Sequence, residues 1–303
     1  MHASAFCFII LEMGYFRITP ASVEFIWGGN KLIDYGGSSK IKNLGEIWNF
    51  SFHKNGLCYI GDKPINEVLT SEVLGNKYSR FSTFPFLIKF IDSKENLSIQ
   101  VHPSQRYAKK REKSNGKIEM WYILEAEKDA FIYLGFKNNE SKDSIKEMIK
   151  NNSICDSLNK IKVKPGECYL VKPGLVHAIG AGVTLLEIQQ NSDVTYRLYD
   201  YDRLDKNGKK RTLHIEDALN VINFKKYKNK SDTKLAKTKY FINKLIENNF
   251  VVTSKNNAGV VITVIEGNGE IDKDKFTKGN TFFVPAGQQA TLKGDYKAII
   301  TRI

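Results

Sequence analysis

Short apolar, β-branched runs recur at close intervals through the middle of the chain, at 84–91, 97–102, 120–124, 130–134, 168–171, 183–189 and 195–199. Gly- and Pro-containing turns separate them, and short strands broken in this way build a sandwich or a barrel. Helical periodicity is rarer. It is confined to 65–74, 104–112, 141–151 and 215–222, which read as decorations on a mainly β core.

The lysine-rich, apolar-poor segment 225–234 reads as a surface linker. Beyond it, the run 260–270 followed by Phe282-Phe283-Val284-Pro285-Ala286-Gly287 repeats the strand, turn and Pro-Ala-Gly order seen earlier in Tyr169-Leu170-Val171-Lys172-Pro173-Gly174. The expected division is an N-terminal extension over 1–12, a main domain over 13–225 and a smaller echo of it over 226–303. Met13 is a natural start for the folded part.

At 303 residues, with 42% hydrophobic and 26% charged residues, the composition is that of an ordinary globular protein. No apolar stretch reaches membrane-spanning length. Cys7, Cys58, Cys155 and Cys168 form no C-x-x-C pair, which points to reduced thiols and a cytoplasmic location. The formal charge of +13 comes from dispersed lysines rather than a basic stripe with interleaved aromatics. That pattern argues against nucleic acid and for a phosphorylated small molecule. Nothing in it fixes an oligomeric state.

Gln100 and His102 alternate within Leu97-Ser98-Ile99-Gln100-Val101-His102, so both side chains leave one face of a strand. Glu119, on the same face as Lys117 and Trp121, would carry a carboxylate into a β core, and His177 follows a Pro-Gly turn. Two imidazoles with oxygen donors leave a divalent ion partly open, the arrangement of a catalytic rather than a structural site. Zinc is the natural choice, although such donors also take manganese, iron, cobalt or nickel. Taken singly, His102 is equally a hydrogen-bonded structural histidine, and Glu119 equally an edge-strand residue paired with Lys117 at the surface. Glu187 and Arg197 are charges inside apolar runs. They form either a mutual salt bridge or a polar pocket in which Arg197 meets a sugar oxyanion or a phosphate and Glu187 handles hydroxyls or protons. His2, His53 and His214 carry no assigned role.

The ordered set Ile26-Trp27-Gly28-Gly29-Asn30-Lys31-Leu32, Gly45-Glu46-Ile47-Trp48, Phe84-Pro85-Phe86-Leu87-Ile88-Lys89-Phe90-Ile91, Leu97 to Pro103, Lys117 to Trp121 and Gln189 to Arg197 resembles the type I mannose-6-phosphate isomerases, in their short bacterial form. The resemblance runs from about Met13 to Arg203. It implies a cupin jelly-roll barrel with a second, smaller jelly-roll-like domain that lacks a metal. It further implies a zinc ion, one per chain, on Gln100, His102, Glu119 and His177, and a catalytic Arg197. Lys117 and Glu187 match polar active-site positions, and Ser98 a position associated with the substrate phosphate. The sequence departs from longer relatives at Gly116, where they often carry histidine, and in lacking most of their helical insertion; Ile47 replaces a residue that is commonly small.

The expected activity is reversible interconversion of mannose 6-phosphate and fructose 6-phosphate through an enediol, with Glu187 ahead of Lys117 as proton carrier and no redox cofactor. Two other readings compete. A non-catalytic sugar- or metal-binding cupin would have no use for Lys117, Glu187 and Arg197 beside the metal, and a cupin dioxygenase would need no Gln100.

Overall fold

The computed structural model describes residues 14–205, 207–228 and 235–303. The expected 1–12 extension, His2, Cys7 and most of the linker lie outside these residues. The rest is mainly antiparallel β-structure. A five-stranded sheet runs in the order Leu158–Lys162, Phe131–Phe136, His177–Ile179, Ile99–Val101, Tyr196–Tyr199. Facing it is a six-stranded sheet in the order Cys168–Val171, Glu119–Ala126, Val183–Gln190, Phe86–Ser93, Ala21–Gly29, Leu44–Phe50. The fold is cupin-like.

Strand parity explains the layering. Trp27, Ile91, Trp121, Ile123, Ile132, Leu134, Val183 and Leu185 form an apolar core between the two sheets. Their alternating neighbours Phe86, Ile88, Phe90, Met120, Tyr122, Leu186 and Ile188 point the other way and pack against Val261, Phe283 and Ile299 of the C-terminal sheet. Every residue of Val183–Gln190 is therefore buried. The outer face of the five-stranded sheet, with Ile99, Val101 and Leu198, is covered by Ile145, Ile149, Ala218 and Leu219.

Helices fall where the periodicity places them, with two differences, one being that the helix expected over 215–222 spans only Ile215–Leu219. Gln105–Arg111 is capped by Ser104, and Lys142–Lys150 by a Ser141–Ser144 capping box. The pattern over 65–74 is instead two single turns, Ile65–Val68 and Ser71–Leu74. The Leu69 backbone leaves the helical region and Thr70 restarts the second turn.

The C-terminal sheet is seven-stranded, built around the long strands Val260–Ile271 and Gln289–Arg302. Its edge is completed by Phe16–Ile18, which pairs with Thr281–Val284, so the first described strand of the chain belongs to the last sheet. Among the described residues no helix is long and apolar enough to cross a membrane.

Candidate active site

Register decides which charges meet. On the six-stranded sheet Glu187 lies opposite Trp121 on one side and Lys89 on the other, and Lys89 lies opposite Trp48. One row across three strand boundaries thus reads Trp121, Glu187, Lys89, Trp48, all directed toward the facing sheet. There, Gln100 lies opposite both His177 and Arg197. Apolar residues fill the interior at one end of these strands (Val183, Leu185) and polar ones at the other (Glu187, Gln189), so the barrel is apolar below and polar above.

At the polar end His102, Glu119 and His177 come together, each no more than 1% exposed, with ligand-capable atoms all within 4.8 Å of one another. The Nε2 atoms of His102 and His177 are 3.2 Å apart. His102 Nε2 is 3.1 Å from Glu119 Oε1, and His177 Nε2 is 3.6 Å from Glu119 Oε2. The side-chain amide of Gln100 lies 3.4 Å from His177 Nε2. Each histidine turns its other ring nitrogen to a main-chain carbonyl: His102 Nδ1 to Val194 at 3.0 Å, His177 Nδ1 to Leu175 at 2.8 Å. An Nδ1–H bonded in this way leaves the Nε2 lone pair directed inward, as metal-ligating histidines have it. The Pro173-Gly174 turn is tied to the same place, because Gly174, at φ +84°, donates its N–H to the His102 carbonyl at 2.9 Å.

The electrostatics favour a cation. Burial, then the Lys117 ammonium, pushes the His102 pKa down to about 4, and burial also lowers that of His177, so both rings are neutral donors. Burial alone would raise the Glu119 carboxyl. Lys117 and the two imidazoles more than reverse this and hold it well below the ordinary carboxylate range. Its Oε2 has no hydrogen-bond partner among the described residues. An orphaned carboxylate oxygen beside two inward lone pairs in a dry interior is a donor set for a divalent metal, and the residues present fit one.

Lys117 Nζ bonds Glu119 Oε1 and lies 3.1 Å from His102 Nε2. Behind it, Lys89 Nζ pairs with Glu46 at 2.9 Å and Glu187 at 3.1 Å. Glu46 accepts from Trp48 Nε1 at 2.7 Å, and Glu187 from Trp121 Nε1 at 2.8 Å. Burial would discharge Lys89, but Glu187 and Glu46 outweigh it and raise its pKa above the ordinary lysine value. The mutual Glu187–Arg197 salt bridge, one of the two readings of those residues, does not form. Arg197, on the opposite sheet, donates through Nε to Ser98 Oγ at 3.3 Å and through Nη1 to the Thr212 carbonyl at 2.8 Å. The surface alternative for Glu119 is also excluded, since its Lys117 partner is buried with it.

These groups open onto a cavity of about 340 Å³ whose lining includes Ser98, Gln100, Lys117, Glu187, Arg197 and Arg211. His102, Glu119 and His177 lie beneath its floor rather than in its wall. The sequence reading gave no role to Lys89, Glu46 or Arg211. Lys89 stands in the apolar run 84–91 as Glu187 does in 183–189, and the criterion that singled out Glu187 would have found it. At Gly116 a Cβ would lie 2.5 Å from the Gln105 nitrogen, so this backbone leaves no room for a histidine there.

Residues 15–133 match the family model for the catalytic domain of type I phosphomannose isomerase. Mannose-6-phosphate isomerase ManA of Bacillus subtilis is 34% identical over 94% of this chain and 97% of its own length. The mannose-6-phosphate isomerase of Streptococcus mutans is 40% identical over 65% of this chain and 64% of its own. The crystal structure of the Bacillus subtilis mannose 6-phosphate isomerase superposes with a TM-score of 0.85 at 33% identity, covering 96% of this chain and all of that one. With two facing antiparallel sheets, a buried His-Glu-His cluster at one end and this degree of likeness along nearly its whole length, the chain belongs to the type I phosphomannose isomerase family.

Proposed function

We propose that the protein is a metal-dependent isomerase that interconverts mannose 6-phosphate and fructose 6-phosphate. The observation that carries this is the buried His102–Glu119–His177 cluster beneath the floor of a cavity lined by Lys117, Glu187 and Arg197, in a chain of this family. Gln100, His102, Glu119 and His177 hold the ion, zinc by preference. When bound, it supplies Lewis acidity toward the oxygens on the sugar's first two carbons.

Glu187 is the proton carrier: it takes the proton from C2 of the open-chain aldose and returns it to C1, while one hydroxyl proton passes from the oxygen on C2 to the oxygen on C1. The two sugars are isomers, so no oxidant or reductant enters. Glu187 Oε1 suits this role, because it is buried beside Lys89 without an aligned hydrogen bond among the described residues. Trp121 fixes the other oxygen. Lys117 Nζ, 4.0 Å from Glu187, sets a positive charge between the proton carrier and the metal ligands. Arg197 and Ser98 bind the substrate, and Arg197 adds positive charge where negative charge develops. In this reading residues 13–225 form the catalytic domain and 226–303 a metal-free support, with Phe16–Ile18 crossing over to the support's sheet.

The test is a coupled assay on mannose 6-phosphate with the metal-loaded chain, with and without chelator, beside Arg197→Ala. Turnover that the chelator abolishes and the variant cripples is expected. An inactive metal-loaded wild type ends the proposal, and full activity in the variant removes Arg197 from it.

A further inference from the structure

We infer that Arg211, held in place by Asp200 and Arg203, is the residue that makes this site select a phosphorylated sugar over a neutral one. The inference rests on the sugar-phosphate reading above and adds to it a recognition residue.

Arg211 lines the same cavity as Arg197 and Ser98. Arg197 Nη1 is bonded to the carbonyl of Thr212, the residue next to Arg211, and both arginines line the cavity. Each feels the other: after burial, the charge of Arg211 is the next cause lowering the Arg197 pKa. Two cations that line one cavity call for an anion in it.

The orientation of Arg211 is set from behind. Buried Asp200 accepts from Arg211 Nε at 2.7 Å and Nη2 at 2.5 Å, a two-point contact that fixes the plane of the guanidinium. The same carboxylate accepts from Arg203 Nη2 at 2.6 Å, and Arg203 Nη1 donates to the Asn96 carbonyl at 2.6 Å. Among the described residues Arg211 Nη1 has no hydrogen-bond partner, so a residue that lines the cavity keeps a donor in reserve. Two guanidinium groups, those of Arg203 and Arg211, share this one buried carboxylate. The other acids nearby are both half exposed: Glu95, 3.6 Å from Arg203, and Asp193, which is engaged by Asn55 and His53 at the rim.

The backbone is bent to achieve this. Tyr201 and Asp202 hold φ values of 56° and 54°, two successive non-glycine residues in the left-handed region, in the turn between Asp200 and Arg203. A strained turn between two members of one charge cluster is held by that cluster. Phosphate dianions are matched by such planar, pre-oriented donors. Asp200 and Arg203 are positioning residues, and Arg211 with Arg197 and Ser98 receives the phosphate.

The experiment titrates inorganic phosphate into the full-length, metal-loaded wild type and into Arg211→Met, Arg211→Lys and Asp200→Asn by calorimetry, and measures kcat and KM on mannose 6-phosphate. The expected result is phosphate binding weakened by roughly tenfold or more in Arg211→Met and partly restored in Arg211→Lys, with KM raised in step and kcat changed much less. Asp200→Asn should shift phosphate binding in the same direction at an unchanged far-ultraviolet circular dichroism spectrum. Unaltered phosphate binding in a folded Arg211→Met overturns the inference whether or not the wild type turns over. A wild type that binds phosphate through Arg211 yet does not isomerise mannose 6-phosphate supports this inference and refutes the proposed activity.

Discussion

Lys89 lies between Glu46 and Glu187, 2.9 Å from one and 3.1 Å from the other, and all three side chains are buried. One ammonium thus keeps two carboxylates apart in the barrel interior, beside the cavity but not among the candidate metal ligands.

Removing that ammonium leaves two buried carboxylates facing each other without their cation. Lys89→Met is expected to destabilise the protein by about 3–5 kcal/mol. Adding Glu46→Gln to it should restore part of the loss, because the two sites are coupled. Thermal melts of the single and double variants check this, and equal melting temperatures for wild type and Lys89→Met would contradict it.

Glu187→Gln keeps an oxygen for Trp121 Nε1 and nearly the same volume but deletes the proton-accepting carboxylate. The account expects kcat to fall by roughly 10²–10⁴-fold, with KM changed far less. Steady-state kinetics on mannose 6-phosphate provide the measurement. A variant retaining wild-type kcat would move the proton transfer to another group, with Lys117 first in line.

Gly116→Ala places a methyl group 2.5 Å from the Gln105 nitrogen and 2.7 Å from the Ser104 carbonyl carbon, both main chain. Overpacking of this kind costs about 1–3 kcal/mol. It also displaces the loop next to Lys117, so kcat/KM should drop along with the melting temperature. A neutral alanine would show that this backbone accommodates a side chain after all.

Asp200 gives a dependence on acid. Burial pushes its carboxyl up, but Arg211 and Arg203 more than reverse this, so its folded pKa lies below the ordinary 3.8. A depressed carboxylate stabilises the fold above its unfolded pKa and loses that contribution as pH falls through the folded value. The stability gap between wild type and Asp200→Asn should therefore be full near neutrality and shrink as pH falls below about 4. Denaturant unfolding at several pH values measures the gap, and a gap that stays constant would contradict the assignment.

The strand pattern was legible because each short run carries its own period and turn residues, and Gln100, His102, Glu119 and His177 were legible because each is a polar residue set in a strand or beside a turn. What the sequence did not disclose is register. Nothing local to 84–91 or 183–189 places Lys89 opposite Glu187, so a salt bridge with Arg197, which sits across the barrel on the other sheet, stays open as one of two readings of the sequence. Arg211 was invisible for a related reason. It lies in a polar, irregular stretch, and only the turn at Tyr201 and Asp202 brings Asp200 round to orient it. The crossing of Phe16–Ile18 to the C-terminal sheet likewise depends on a pairing more than 260 residues distant.

Metal analysis of the purified chain, by elemental mass spectrometry after loading and exhaustive dialysis, tests the central claim most directly. One divalent ion per chain is expected for the wild type, and little or none for His177→Ala or for a His102→Ala, Glu119→Ala pair. A folded wild type that retains no ion, or a histidine variant that retains it fully, would contradict the convergence of Gln100, His102, Glu119 and His177 on a single metal.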